Sequence, residues 1–262
     1  MTNKHGEWVW FELLASDPDA AQAFYRPILG WDVVPSGTPG MDYRLLRAGG
    51  QEVGGLMKMP DGVESGPTWL GYVGVDDVDA SAAAIERAGG TVHMPPTTME
   101  GVGRMAMVAD PQGIPFYVMR GASDEPSPAF ARCDKPDFDP TAVGHAVWCE
   151  LSAPDPDAAI GFYREAFNWS QEGAIPMGDL GDYRFLQDSG GGGFGAVMRV
   201  PPGGAAGWMF YFHVPDIDRA ARAVADGGGK VLQEPIEIPG GSYSLVASDP
   251  QGARFGLVGP RR

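Results

Sequence analysis

An internal repeat constrains the fold of this 262-residue chain more than any other feature of its sequence. The segment Val9–Trp31 aligns without a gap with Val147–Trp169, and each contains DPDAA, then FYR, then a closing tryptophan. Further matches follow in the same order: Asp42–Arg44 with Asp182–Arg184, and the DPQG tetrapeptides at 110–113 and 249–252. Because repeats of this kind correspond to whole folded units, the chain is predicted to contain two copies of one domain.

The repeat also sets the expected domain boundaries. We expect a first domain over residues 1–122, a linker over 123–143 and a second domain over 144–262. The linker is rich in Pro, Asp and Ser, a composition typical of segments between domains. A weaker echo inside the first copy pairs Asp17–Asp19 with Val75–Asp79, since both follow an apolar strand and open a helix pattern. Each copy is therefore expected to hold two similar units, four in the whole chain.

Local patterns predict the order of helices and strands within a unit. Val9–Leu14 is a short apolar run with β-branched and aromatic residues, which is typical of a strand. Asp17 and Pro18 suit the first turn of a helix, and Gly30 suits its end. Further strands follow before the pattern starts again. The order is therefore predicted to be βαβββ, in an α+β fold class.

Charge and composition exclude several classes of partner. The formal net charge is −15 and the pI is near 4.5, so the surface would repel the phosphate backbone of nucleic acids. No apolar run reaches the roughly 18 residues of a membrane span, and the N-terminal residues show no apolar signal segment. Cys133 and Cys149 have no CxxC spacing, which fits free thiols in a reducing compartment. We therefore predict a cytoplasmic protein with neither nucleic acid nor membrane as a partner.

Three motifs mark the start or end of predicted elements. They are FYRPILGW after the first strand, a V-x-D-x-D start to the second helix, and DPQG before the last strand. With the βαβββ order they resemble the vicinal oxygen chelate superfamily, which includes glyoxalase I, extradiol dioxygenases, and fosfomycin- and bleomycin-resistance proteins. The resemblance implies four βαβββ units that form two glyoxalase-like half-open barrel domains. It also implies a divalent metal held by His, Gln or Glu from the first, fourth, fifth and eighth strands.

The residues at the implied ligand positions do not support such a metal centre. Counting from the nearest motif places these positions on Trp10 and Trp148 in the first strands, Leu70 and Met209 in the fifth, Tyr117 and Gly256 in the eighth, and Gly54–Met57 and Gly195–Met198 in the fourth. None of these carries a hard or borderline donor of the usual kind. We predict that neither domain holds a metal or other cofactor, with a divalent metal as the alternative.

Two carboxylates are candidate catalytic or ligand-contacting groups. Glu12 and Glu150 lie two residues beyond the implied ligand position, so strand alternation directs them into the cavities. A carboxylate on an inward face must be hydrogen-bonded, paired or protonated. Either each glutamate bonds the backbone or an arginine such as Arg44 or Arg184, or it contacts a ligand or acts as a general base.

A histidine is the third catalytic candidate. His213 alternates with Met209 and Tyr211, so it is predicted to face the second cavity near Glu150. A glutamate and a histidine in one cavity suit an acid–base pair. The counterpart of His213 in the first copy is Gly74, and a lone histidine at a strand end also suits a structural role.

Aromatic side chains are predicted to form the walls that bind a ligand. They are Trp10, Trp69, Tyr72 and Tyr117 in the first copy, and Trp148, Trp208 and Tyr211 in the second. Aromatic walls suit a flat apolar or cationic small molecule. Plain core packing is the alternative, because the family cavity is also where a core would form.

Two functions from different classes follow from these patterns. The first is a small-molecule binding or sequestering protein of the glyoxalase/bleomycin-resistance type that lacks the usual metal centre. The alternative is a metal-dependent glyoxalase-like lyase/isomerase or dioxygenase that acts on a small oxygenated substrate. A partner-binding protein with vestigial cavities is a third reading. In each case we expect a monomer with paired domains or a homodimer.

Overall fold

The computed structural model describes residues 3–38, 40–60, 66–132 and 142–262. In the first copy the elements are β1 (Trp8–Ala15), α1 (Pro18–Leu29), β2 (Asp32–Pro35), β3 (Tyr43–Ala48), β4 (Gln51–Lys58), β5 (Thr68–Gly74), α2 (Val78–Arg87), β6 (Thr91–Met99), β7 (Gly103–Ala109) and β8 (Pro115–Gly121). In the second they are β9 (Ala146–Ala153), α3 (Pro156–Phe167), β10 (Ser170–Pro176), β11 (Asp182–Gln187), β12 (Gly193–Arg199), β13 (Gly207–His213), α4 (Ile217–Asp226), β14 (Lys230–Glu237), β15 (Tyr243–Ser248) and β16 (Arg254–Gly259).

The predicted βαβββ order is confirmed, because these elements follow it four times. The strands form two mixed, curled eight-stranded sheets, with the orders β2-β3-β4-β1-β5-β8-β7-β6 and β10-β11-β12-β9-β13-β16-β15-β14. The pairs β1–β4 and β9–β12 are parallel, whereas β3–β4 and β11–β12 are antiparallel. The α+β fold class is therefore confirmed. Part of the predicted linker, residues 133–141 with Cys133, lies outside the described residues.

The first helix of each copy begins where its sequence predicts. The carboxylate of Asp17 accepts a hydrogen bond from the Ala20 amide at 3.0 Å, and Pro18 opens α1. Asp155 caps α3 in the same way. The helices end differently, since Gly30 takes a left-handed conformation after α1 whereas Asn168, with φ of 56°, takes it after α3. Asparagine tolerates that region better than most residues, so the two helices end at equivalent positions of the repeat.

The chain divides into two compact units that do not coincide with the two sequence copies. Unit 1 comprises Met1–Val9, Leu70–Ser127 and Cys149–Trp208, and unit 2 comprises Trp10–Trp69, Pro128–Trp148 and Met209–Arg262. Unit 1 thus combines most of β5–β8 with β9–β12, and unit 2 combines most of β1–β4 with β13–β16. Each unit therefore draws one βαβββ segment from each sequence copy.

A buried tyrosine–aspartate pair links the two segments of unit 2. The Tyr25 hydroxyl, on α1, donates to Asp249 at 3.2 Å, and the same carboxylate accepts the amides of Gln251 and Ala253 at 2.9 Å each. Trp69 donates its indole N–H to the Tyr25 hydroxyl at 3.2 Å. Tyr25 and Asp249 are almost fully buried, so these bonds form away from water. The repeated FYR and DPQG motifs therefore serve a structural purpose.

Unit 1 contains the equivalent pair. The Tyr163 hydroxyl donates to Asp110 at 3.2 Å, and Asp110 accepts the amides of Gln112 and Ile114 at 2.8 and 2.9 Å. Trp208 donates to the Tyr163 hydroxyl at 3.0 Å. Burial raises the pKa of Asp110 above its ordinary 3.8, and its amide and tyrosine hydrogen bonds oppose that shift only in part.

Because the pKa of Asp110 is raised by folding, its contribution to stability is fully present below its unfolded pKa and is lost as pH rises through the folded value. An Asp110→Asn variant cannot ionise there. We therefore expect the unfolding free energy of the variant to improve relative to the wild-type protein between about pH 4 and about pH 7. Urea denaturation across that range measures the difference. A gap between the two proteins that stays constant with pH would contradict the prediction.

Candidate functional site

Strand β1 presents its two sides to different surroundings. Phe11 and Leu13 are fully buried and alternate with Trp10 and Glu12, so the glutamate and tryptophan share the other face of the sheet. Glu12 is only 3% exposed and lies opposite Gly55 in the parallel pair with β4. Glu12 therefore lies on the same sheet face as Trp10, beside Gly55 of β4.

Tyr43 of β3 completes this site, which we call the Glu12 site (Trp10, Glu12 and Tyr43, all in unit 2). The indole N–H of Trp10 donates to the Tyr43 hydroxyl at 2.8 Å. The Tyr43 ring lies directly over Gly55, because a Cβ atom at that position would overlap its hydroxyl and ring carbons. Trp10 and Tyr43 are half-buried, whereas Glu12 is buried. The carboxylate is therefore less accessible to solvent than the two aromatic rings of the site.

Unit 1 contains a related arrangement, which we call the Glu150 site (Glu150, Tyr183 and Phe185). The Tyr183 hydroxyl donates to a carboxylate oxygen of Glu150 at 3.0 Å. Phe185 packs against the Tyr183 ring with 5.9 Å between the ring centroids. Glu150 lies opposite Ala196 of β12 and is 9% exposed. A buried carboxylate that accepts a hydrogen bond from a half-buried tyrosine is thus present in this unit.

The arginines that could have bonded these glutamates are engaged with other acids. Arg44 forms ion pairs with Asp19 at 2.7 Å and with Asp42 at 2.9 Å. Arg184 pairs with Asp157 of α3. Both arginines follow the site tyrosines by one residue, so alternation directs them to the opposite face of the sheet. The Asp-Tyr-Arg motif therefore combines a site tyrosine with an arginine that binds a helix or a neighbouring acid.

The remaining aromatic candidates do not share one surface. Trp69 is 3% exposed and packs against Tyr25, Trp31 and Phe212, so its ring belongs to the core of unit 2. Trp208 likewise packs against Tyr163 in unit 1. The physical reason is that large apolar rings suit a core as well as a cavity wall.

The tyrosines on β5 and β13 lie on the sheet face away from these tryptophans. Tyr72 stacks on Tyr117 in unit 1, with centroids 4.2 Å apart and the rings nearly parallel. In unit 2 the equivalent Tyr211 lies across Gly256, where a side chain would overlap its ring. Trp148 is half-buried and packs against the apolar cluster that contains Tyr211. Tyr117 thus stacks on Tyr72 in the first copy. The equivalent position in the second copy is Gly256, which has no side chain and is covered by the Tyr211 ring.

His213 is a buried residue of unit 2. Its backbone N–H donates to His145 at 3.0 Å, and its carbonyl accepts from Gly144 at 2.9 Å. His145 is also buried, its ring nitrogen lies 3.3 Å from the Gln51 side-chain oxygen, and burial lowers its pKa. Glu150 belongs to unit 1, so an acid–base pair of His213 with Glu150 stays a prediction.

The residues at the implied metal positions do not fit a divalent ion. Trp10, Leu70, Tyr117 and Gly256 occupy them with indole, alkyl, phenol and no side chain, and none is a usual ligand for such an ion in this fold. Within residues 3–38, 40–60, 66–132 and 142–262, no three His, Cys, Asp or Glu side chains come together as a metal-binding group. No chemical step is therefore assigned to a bound metal here.

Tyr43 and Tyr183 are candidate site residues that the sequence patterns did not single out. Both belong to the Asp-Tyr-Arg motif that the two copies share, and that retention was the available signal. They lie on β3 and β11, which are not among the strands that supply metal ligands in the family. A tyrosine of intermediate burial is also a common residue in ordinary strands, so the motif alone does not indicate a site.

Comparison with known proteins identifies the family. The model of the Glyoxalase/Bleomycin resistance protein/Dioxygenase superfamily matches residues 8–118 and 143–257. The chain belongs to this superfamily, with two tandem matches. None of the helices in the described part of the chain is long and apolar enough to cross a membrane.

Two relatives span nearly the whole chain. CFP32 of Mycobacterium tuberculosis, whose name provisionally calls it a glyoxylase, is 32% identical over 256 residues and aligns with 96% of this chain and 94% of its own. The anthracycline biosynthesis protein DauV of Streptomyces sp. strain C5 is 30% identical over 270 residues, with 97% of this chain and 93% of its own covered.

Solved structures share the fold at low identity. The Mn(II)-bound glyoxalase from Novosphingobium aromaticivorans has a TM-score of 0.67 at 18% identity, covering 99% of this chain and 83% of that chain. The 2,2',3-trihydroxybiphenyl 1,2-dioxygenase from Sphingomonas wittichii strain RW1 has a TM-score of 0.65 at 17% identity, covering 99% and 91%. At these identities the likeness supports the architecture and not a shared reaction.

Proposed function

We propose that this protein binds a small planar aromatic molecule carrying hydroxyl groups, and that it does so without a divalent metal. The observation that carries the proposal is the grouping of Trp10, Tyr43 and the buried Glu12 on one face of the sheet. A related tyrosine–glutamate pair in unit 1 supports it. The protein then acts by binding or sequestering its ligand, as bleomycin-resistance proteins of the superfamily do.

The chemistry of each site suits that ligand. Half-buried indole and phenol rings offer flat apolar faces on which another ring stacks. A carboxylate on the same sheet face accepts hydrogen bonds from ligand hydroxyls, and burial strengthens those bonds. An analogue without hydroxyls forms none of these hydrogen bonds, so it binds less tightly. The relative named for anthracycline biosynthesis is consistent with this class, because anthracyclines are hydroxylated polycyclic aromatics.

A metal-dependent lyase, isomerase or dioxygenase is the second candidate. It is favoured by the Mn(II)-bound glyoxalase and the dioxygenase among the structural neighbours. In that case Glu12 or Glu150 would act as a general base on a small oxygenated substrate. The residues at the implied ligand positions weigh against it, because they supply no donor set for the ion. We also propose a cytoplasmic location, with a monomer or homodimer as the assembly.

The proposal predicts a defined ligand preference. In a thermal-denaturation assay, 1,8-dihydroxyanthraquinone should raise the melting temperature of the chelator-treated protein more than unsubstituted anthraquinone at equal concentration. The two probes share one ring system, so the difference isolates the hydroxyl groups. Equal stabilisation by both quinones would contradict hydroxyl recognition, and stabilisation by neither would contradict the proposed binding function.

A further inference from the structure

Four methionines lie side by side on one sheet face of unit 1. Met94 of β6 lies opposite Met107 of β7, and Met105 of β7 lies opposite Met119 of β8, in two antiparallel pairs. Met105 and Met107 are two residues apart on one strand, so they point to the same side, and directly opposed residues share that side. We call this group the methionine patch (Met94, Met105, Met107 and Met119).

The register brings the thioethers within reach of one another. In an antiparallel pair, directly opposed Cβ atoms lie about 5 Å apart and diagonal neighbours lie about 7–8 Å apart. A methionine side chain has three rotatable bonds and carries its sulfur well beyond Cβ. The sulfurs of Met105, Met107 and Met119 can therefore converge above the sheet, with Met94 beside Met107.

The surroundings of the methionine patch are neutral and only partly buried. Met105 is 7% exposed, whereas Met94, Met107 and Met119 are half-buried, so most of the patch lies outside the closed core. The two rows of opposed residues continue across the sheet with Tyr117 and Tyr72 in one, and with Thr97 and Gly74 in the other. None of these residues carries a positive charge that would repel a cation.

The second sequence copy shows that the fold does not require methionine at these positions. The same register occurs there, with Gln233 opposite Val246 and Ser244 opposite Val258. These four residues are the counterparts of the methionine patch, and none of them contains sulfur. The βαβββ segment therefore forms with other side chains at these positions, and the four thioethers are a feature of the first copy.

We propose that the methionine patch binds a soft monovalent cation of the Cu(I) class, with Met105, Met107 and Met119 as its ligands. Neutral thioethers are soft donors, which favour such an ion over hard divalent ions. The net charge of −15 attracts cations of every kind, so selectivity comes from the sulfur atoms. This site differs in residues and in ion from the divalent centre of the superfamily, and it does not depend on the proposed aromatic ligand.

Silver(I) is a suitable probe, because it shares the preference of Cu(I) for sulfur. It is titrated into protein whose methionine methyl groups are labelled with ¹³C, and the methyl resonances are followed by NMR. All samples carry Cys133→Ser, and Cys149 is buried. We expect the resonances of Met105, Met107 and Met119 to move together and to stop moving at a single ion per chain. The resonance of the exposed Met177, also in unit 1, should stay in place.

Leucine substitutions assign the resonances and test the ligands, because leucine replaces methionine with little change in volume. Met105→Leu and Met119→Leu should each weaken silver binding by about tenfold or more, since even outer-shell partners of a metal contribute that much. Met177→Leu is the matched control and should leave the affinity unchanged. Circular dichroism checks folding, and Met107→Leu, at a half-buried position, keeps the test valid if Met105→Leu does not fold.

Three results would overturn the proposed site. Silver could move the resonances of exposed methionines as much as those of the methionine patch. The folded leucine variants of the patch could bind silver as tightly as the Met177→Leu control. Magnesium(II), a hard ion, could move the same resonances as silver, which would show that charge and not sulfur selects the ion.

Discussion

Replacing Asp249 by alanine should lower the unfolding free energy by about 3–5 kcal/mol, a large share of the stability of an ordinary domain. The change removes the acceptor for two backbone amides and for the Tyr25 hydroxyl. Asp249 is 3% exposed, so water does not readily replace the lost acceptor. Chemical denaturation followed by circular dichroism measures the effect.

A matched substitution separates this bond network from the general effect of removing an acid. Asp226 is an exposed aspartate at the end of α4, and its replacement by alanine should change stability by no more than about 0.5 kcal/mol. Asp110→Ala should reproduce the Asp249 effect in unit 1, since Asp110 accepts the equivalent bonds. A loss for Asp249→Ala as small as that for Asp226→Ala would refute the structural role assigned to the DPQG turn.

Replacing Glu12 by glutamine should weaken quinone binding at the Glu12 site by roughly 10- to 100-fold, because the amide places an N–H where the carboxyl group offers an acceptor oxygen. Glutamine keeps the size of the side chain, so packing beside Gly55 changes little. Titration of 1,8-dihydroxyanthraquinone into the protein, followed by the intrinsic fluorescence of its tryptophans, reports the affinity. The same change at Glu150 should weaken binding at its own site.

Two measurements distinguish a binding role for Glu12 from a purely structural one. Glu52→Gln, at an exposed glutamate of unit 2 that pairs with Arg47, should leave the affinity unchanged. The melting temperature of Glu12→Gln should stay close to that of the wild-type protein while its affinity falls. A variant that loses stability but binds the quinone normally would show that Glu12 serves the fold alone.

Local signals in the sequence account for the part of the fold that could be predicted. Asp17 before Pro18, and Gly30 after the helix, define α1 by short-range chemistry that needs no knowledge of the rest of the chain. The partnership of Tyr25 with Asp249 could not be found in this way, because it joins distant parts of the chain. The repeat shows that the FYR and DPQG motifs are retained in both copies, but it does not show that a residue of one bonds to a residue of the other.

The candidate site was predictable only in part for a related reason. The shared face of Glu12 and Trp10 was predictable, because strand alternation along β1 fixes it. Trp69 and Tyr72 were both assigned to the wall, although their three-residue spacing places them on opposite faces of β5. Tyr43 was missed because its approach to Gly55 depends on the register of β3 with β4, which the sequence does not specify.

One titration tests most directly whether the protein binds its aromatic ligand without a metal. The affinity for 1,8-dihydroxyanthraquinone is measured by fluorescence on protein dialysed against a chelator, and again after Mn(II) is supplied, with the metal content of each sample determined by mass spectrometry. We predict the same affinity in both samples and no stoichiometric metal in either. Binding that appears only with Mn(II), accompanied by one or two tightly held ions per chain, would contradict it.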